Sequence, residues 1–152
     1  MLKSGTVAPK FSLPDQDGTI VSSDDLKGKK YILYFYPKDN TSGCIKQAIA
    51  FRDAKKELES LGIGVYGVSK DSVASHQRFR EKQELNFTLL ADTELEAIKA
   101  FDVWQEKKNY GKVSMGVMRT AYLIDENGVI EKDWPKIKAA DSAAIILNEL
   151  KA

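Results

Sequence analysis

The sequence holds a single cysteine and a single histidine in 152 residues. One cysteine cannot close an intramolecular disulfide, and one histidine beside it cannot complete a Cys/His metal cage, so disulfide frameworks and zinc ribbons are excluded by counting. The longest apolar run, YILYFY at 31–36, is far short of the roughly 20 residues needed to span a bilayer, so no membrane helix is expected. The opening MLKSGTVAPKF has a lysine but no apolar segment after it, which predicts no secretory signal and a reducing, cytoplasmic location. An excess of one charge is missing too. The 23 Lys+Arg stand against 22 Asp+Glu and are interspersed with them, as in KKELES and REKQEL, where a nucleic-acid partner would need a clustered basic face. What remains, with 43% apolar and 30% charged residues, is an ordinary globular composition, and the length predicts one domain over 1–152.

Strand and helix signals alternate along the chain. Asp17-Gly18 separates the short apolar groups Phe11, Leu13 and Ile20, Val21, which predicts an N-terminal β-hairpin. KKYILYFYP lacks clean alternation and predicts a central strand covered on both faces. Ile45, Ala48, Phe51, Ala54, Leu58 and Leu61 step by three or four, giving a helix that Gly62 ends. IGVYGVS at 63–69 predicts a second buried strand, followed by a helix with Asp71 or Ser72 as its N-cap. FTLLAD gives a third strand and 93–101 a short helix, while WQEKKNYGKVSMGVM, polar and punctuated by glycine, is expected to be a loop. RTAYLIDENGVIEKDW predicts two strands joined at Asn127-Gly128, and ADSAAIILNELKA a C-terminal helix capped near Asp141 or Ser142. The order describes an α/β sandwich, its early strands parallel through helical crossovers and its late hairpin antiparallel.

The lone thiol falls where the central strand gives way to the first helix, in PKDNTSGCIKQAI. A helix N-terminus carries unpaired N–H groups and about half a positive charge, so an anion in its first turn is stabilised. With Thr41 or Ser42 as N-cap, Cys44 is N3 or N2, where its thiolate would accept amide hydrogen bonds and act as a nucleophile at neutral pH. Gly43 leaves space beside the sulfur, Thr41 brings a hydroxyl to it, and Pro37 stiffens the strand exit. Spacing alone leaves the bland alternative open, in which Cys44 is a small apolar side chain and Thr41-Ser42 only a cap.

These residues resemble the active-site loop of the peroxiredoxins, Pro-x-x-x-Thr-x-x-Cys, with Pro37, Thr41 and Cys44 at matching spacing. The resemblance runs through GTVAPKFSLPDQDGTIVSSDDLKGK, YILYFYPKDNT, the FRD at 51–53, Trp104 and EKKNYGKVSMGVMRTAYLIDENGVI, and points to the bacterioferritin-comigratory, or PrxQ, branch. It implies a thioredoxin-like fold, a central mixed β-sheet flanked by helices. It also implies that Arg119 lies beside the catalytic sulfur, where a guanidinium favours thiolate over thiol and binds peroxide oxygens. The implied activity is a thiol-dependent peroxidase: Cys44 attacks a hydroperoxide and becomes a sulfenic acid, with Thr41 and Arg119 as its catalytic partners and Pro37, Gly43 and Trp104 around the substrate. No metal and no cofactor are implied. Without the resemblance, the favoured reading of Arg119 is a strand-end residue paired with a surface carboxylate.

The chain departs from that family at Ile49, where many members carry a resolving cysteine, so this is a one-cysteine form, whether natural or engineered. Its sulfenic acid then requires an external thiol, such as thioredoxin, glutaredoxin with glutathione, or a small thiol, with a Cys44-to-Cys44 dimer as the other outcome and a monomer expected otherwise. Ser42 stands where the family often has proline, which loosens the loop. The Gly-Gly and C-terminal Tyr-Phe signatures of the easily over-oxidised members of that family do not occur here, and the resemblance therefore implies relative resistance to over-oxidation. Two competing readings are a non-enzymatic peroxide sensor or holdase, and a cysteine hydrolase pairing Cys44 with His76, a residue expected on the surface of the second helix. Trp104, Tyr110 and Met115 are expected either to wall a pocket or to pack.

Overall fold

The strand Lys30–Phe35 (β3) is the axis of the molecule, and its composition explains why it is buried on both sides. Ile32, Tyr34 and the following Tyr36 face one apolar cluster, while Tyr31, Leu33 and Phe35 face a second. A period of two along one strand thus feeds two cores. The computed structural model describes residues 1–151. It contains a five-stranded mixed sheet in which β3 pairs in parallel with Ile63–Ser69 (β4), and β4 with Thr88–Ala91 (β5). On the other side of β3, Thr120–Ile124 (β8) and Ile130–Trp134 (β9) add antiparallel pairs, giving the order β5-β4-β3-β8-β9. The predicted N-terminal hairpin is Ser12–Pro14 (β1) with Ile20–Ser22 (β2).

Helices cover both faces. Ser42–Ser60 (α1) lays Ala48, Phe51, Ala54 and Leu58 on the first cluster, where Phe51 stacks on Tyr34 at 4.5 Å between ring centroids. Removing such a buried ring costs about 3–5 kcal/mol. Val73–Lys82 (α2), with Ser72 as N-cap, adds Phe79 to that cluster, and Ser142–Lys151 (α4) adds Ala143 and Ile146. Glu96–Ala100 (α3) covers the second cluster with Ala97 and Ile98.

One expectation fails. The segment expected to be a loop forms an antiparallel ribbon, Trp104–Asn109 (β6) with Lys112–Val117 (β7). Its two-residue turn puts Tyr110 at φ 51° and Gly111 at φ 78°, both left-handed, which is the backbone a tight hairpin requires. The strands carry no apolar run because most of β7 is exposed, so nothing in their hydrophobic pattern marks them as strands.

Two features of this frame set the site. The register pairs Phe35 with Thr120, so the residue before Thr120 lies beyond the end of β3, where the chain leaves the sheet for α1. The helices α1 and α4 pack side by side, and one buried hydrogen bond crosses between them. Among the described residues, no helix is long and apolar enough to cross a membrane.

Candidate active site

The loop 36–41 carries the chain from the sheet to the first turn of α1. Thr41 is the N-cap by its extended backbone (φ −80°, ψ 150°), which makes Ser42 N1, Gly43 N2 and Cys44 N3. The Ile45 amide closes the first helical bond onto the Thr41 carbonyl at 2.9 Å. The three amides before it precede that ladder and point out of the helix end whose first turn carries Cys44. No carboxylate occupies the first turn to compete for them. Asn40, just before the cap, takes φ 64°, a left-handed conformation tolerated by asparagine.

Arg119 completes the site. Its Nη2 donates to Cys44 Sγ at 3.4 Å, and its Nη1 donates to the Gln47 Oε1. Gln47 is fully buried one turn below Cys44; its amide donates to Ser142 Oγ at 3.0 Å, and that hydroxyl donates to the Lys138 carbonyl at 2.7 Å. The guanidinium is therefore held at one end by a chain of hydrogen bonds, the Gln47–Ser142 link of it buried, that is anchored in α4, leaving the other end for the sulfur. Gly43 permits the approach: a Cβ there would stand 3.3 Å from Arg119 Nη2. Lys107 reaches in from β6 across Gly116, whose missing side chain gives it passage. Burial and the Arg119 charge push its amine below the ordinary lysine value, against the pull of Cys44.

Cys44 is only 2% exposed and belongs to the first apolar cluster, so its packing matches the bland reading while its polar partners match the reactive one. Beside it, burial and then the charges of Cys44 and Asp39 push the Tyr34 hydroxyl well above its ordinary value, keeping that neighbour neutral.

The remaining expectations are met unevenly. Thr41 sits at the cap, but its hydroxyl donates to the Lys38 carbonyl at 3.1 Å instead of capping a helix amide. Pro37 is half-buried at the strand exit. Trp104 opens β6 and lies under Lys70, whose Nζ is 5.8 Å from its ring centroid. Tyr110, fully exposed, and Met115, half-exposed on the same ribbon, are not packing residues. His76, expected on the surface, is 0% exposed, because it shares the inner face of α2 with Phe79. Its ring nitrogens meet Asp39 at 2.7 Å and the Leu90 carbonyl at 2.9 Å, so it is not the base of a Cys44 dyad. Gln47 and Lys107 went unread in the sequence, and Ser142 was read only as a possible helix cap. Gln47 alone had a signal, standing three residues after Cys44 on the same helix face.

The model of the AhpC/TSA family matches residues 4–133. The chain is 47% identical over 149 residues to a putative peroxiredoxin bcp of Coxiella burnetii, covering 98% of this chain and 99% of that one. It is 45% identical over 150 residues to peroxiredoxin Bcp of Escherichia coli K12, covering 99% and 96%. Among solved structures, a cysteine-to-serine mutant of Xanthomonas campestris peroxiredoxin Q superposes with a TM-score of 0.91 at 34% identity, covering 99% and 98% of the two chains. The bacterioferritin comigratory protein of the same organism, whose alkyl peroxide reduction activity is known from trapped intermediate and ligand complexes, matches with a TM-score of 0.88 at 35% identity, over 93% and 90%. The chain belongs to the AhpC/TSA family and, within it, to the Bcp/PrxQ peroxiredoxins, thiol-dependent peroxidases of thioredoxin-like fold.

Proposed function

We propose that Cys44 is the peroxidatic residue, that Arg119 acts on it directly and that Thr41 acts on the incoming hydroperoxide. The observation that carries this is the Arg119 guanidinium 3.4 Å from Cys44 Sγ at the N-terminus of α1. A positive end and a delocalised cation around one sulfur stabilise the thiolate and, as the reaction proceeds, the charge moving onto the departing oxygen. The thiolate attacks the terminal oxygen of hydrogen peroxide or an organic hydroperoxide; an S–O bond forms as the O–O bond breaks. Sulfur is oxidised by two electrons to the sulfenic acid, and the leaving oxygen takes up a proton to depart as water or an alcohol. The Thr41 hydroxyl spends its proton on Lys38, so it serves as an acceptor that orients the hydroperoxide O–H. Pro37 and Gly43 shape the approach, and Trp104 flanks it on the ribbon.

Recycling uses an external thiol. Two thiol equivalents return Cys44 to its reduced form, becoming a disulfide and releasing water. The burial of Cys44 favours a small thiol such as glutathione, or a thioredoxin or glutaredoxin that meets a locally opened first turn. The protein works as a monomer in a reducing cytoplasm, and a Cys44–Cys44 link between two molecules requires both first turns to open. Stopped-flow turnover with reductant in excess tests the reading. Many peroxide equivalents consumed per chain, and none by Cys44→Ser, are expected; a single stoichiometric oxidation identifies a sensor instead.

A further inference from the structure

Among the described residues, the most heavily hydrogen-bonded polar group outside the sulfur's own contacts is Asp39, in the loop that presents α1. It is 3% exposed. Its Oδ1 accepts from Tyr36 Oη at 2.6 Å, and its Oδ2 accepts from Ser75 Oγ at 2.8 Å and meets His76 Nδ1 at 2.7 Å. Its backbone amide donates to Asp71 Oδ2 at 2.9 Å, an oxygen that also accepts from Ser69 Oγ at 2.6 Å. The loop is thus tied to β4, α2 and, through His76, to the Leu90 carbonyl of β5.

The protons of this cluster can be counted. A carbonyl only accepts, so the His76 Nε2 facing Leu90 carries a hydrogen. The Tyr36 and Ser75 hydroxyls already donate to Asp39, so one further hydrogen lies between Nδ1 and Oδ2. Imidazole and carboxylate together hold two protons, and the pair carries no net charge. That neutrality bears on the sulfur, because Asp39 is bound by Tyr36, whose ring lies 5.5 Å from that of Tyr34 in the same buried apolar cluster as Cys44.

We propose that His76 is a positioning residue for the reaction at Cys44: paired with Asp39, it locks the 36–41 loop and cancels a carboxylate charge that would oppose the thiolate. The mechanical path is continuous. Asp39 is fixed by His76, the Lys38 carbonyl beside it receives the Thr41 hydroxyl, and Thr41 caps the helix that carries Cys44. The left-handed Asn40 lies inside this span, a backbone conformation that persists where its surroundings hold it. The proposal rests on Cys44 as the reacting sulfur. It goes further in assigning a function to a histidine that never touches that sulfur.

The test separates a charge role from simple packing. His76→Gln keeps a donor for one partner but cannot serve both, and it is expected to slow peroxide oxidation and neutral-pH alkylation of Cys44 by roughly 10- to 100-fold. Adding Asp39→Asn removes the unpaired carboxylate, and the double variant is expected to recover most of both rates. A double variant as slow as the single one, or slower, overturns the charge role. Because His76 is the sole histidine, its imidazole resonances in the wild-type protein are unambiguous. ¹H–¹⁵N NMR is expected to show an Nε2-bound proton protected from exchange, and this holds even where a variant fails to fold. An Nδ1-only tautomer, or rapid exchange with water, refutes the pairing. Cys44→Ser serves as the control: if it still consumes peroxide, the Cys44 assignment fails, whereas an inactive Cys44→Ser with a fully active His76→Gln sinks only the role of His76.

Discussion

Arg119 and Cys44 are 75 residues apart in sequence, yet the guanidinium Nη2 reaches Sγ at 3.4 Å because antiparallel pairing sets Thr120 opposite Phe35. The same guanidinium is gripped on its other side by Gln47. A lysine at 119 keeps the charge but, as a single point donor, cannot hold both partners. Arg119→Lys is therefore expected to fold normally and to slow Cys44 oxidation by about 10²–10³-fold, the usual cost of losing a preorganised donor. Stopped-flow peroxide consumption checks it, and a wild-type rate would remove Arg119 from the site.

The grip on Arg119 is itself supported from α4. Ser142→Ala deletes the acceptor for Gln47 Nε2, in a fully buried bond, and the donor to the Lys138 carbonyl, in a partly buried one. A stability loss of about 1–3 kcal/mol in urea melts is expected from the unsatisfied amide. Oxidation of Cys44 is expected to slow as well, since Gln47 is then free to release the guanidinium. Lost stability at an unchanged rate would make this chain of hydrogen bonds structural only.

Gly43 sets stability against activity. An added Cβ would sit 3.3 Å from Arg119 Nη2 and 3.6 Å from Ala139 Cβ, so the mobile guanidinium tip must give way. Within the first helical turn, alanine is preferred to glycine by up to about 1 kcal/mol. Gly43→Ala is thus expected to raise the melting temperature slightly while slowing the peroxide reaction. Thermal denaturation and stopped flow on one preparation measure both, and an unchanged rate would show that the approach at Gly43 is not tight.

Most of the fold was legible because its signals are local. Gly62 after the periodic run of α1, Asn127-Gly128 between β8 and β9, and the doubly apolar β3 each fix an element without knowledge of the rest. The ribbon β6–β7 was illegible for a physical reason: its strands bury little, and Tyr110-Gly111 is a weak turn signal beside Asn-Gly. In the site, the position of Cys44 in the first turn, at N3 or N2, followed from helix capping, whereas Arg119 was reached by resemblance, since register across 75 residues leaves no mark in spacing. His76 was misjudged because a single histidine among Arg, Gln and Lys reads as a surface residue. Only the packed structure reveals its carboxylate partner.

The depth of the sulfur makes reagent size a probe. Cys44 is 2% exposed, so a two-oxygen molecule needs less opening than a ring-bearing one. Hydrogen peroxide is expected to react far faster with the folded protein than a maleimide does, and mild urea is expected to accelerate only the maleimide. Comparable rates for both reagents in water would mean that the first turn of α1 is already open.

Ile49 tests the cost of an internal resolving thiol. It sits on α1 five residues after Cys44, a rise of roughly 7.5 Å along an intact helix, and a disulfide tolerates at most about 7 Å between Cα atoms. Ile49→Cys can therefore close a bond to Cys44 only by unwinding the first turn, which breaks the Ile45–Thr41 hydrogen bond and draws the sulfur away from Arg119. Peroxide treatment of this variant is expected to yield an intramolecular disulfide with a measurable loss of helical circular dichroism, reversed by dithiothreitol. The wild-type chain, lacking that partner, is expected to keep its helicity through oxidation. A disulfide formed with full helicity would show that the first turn is not the regular helix its backbone describes.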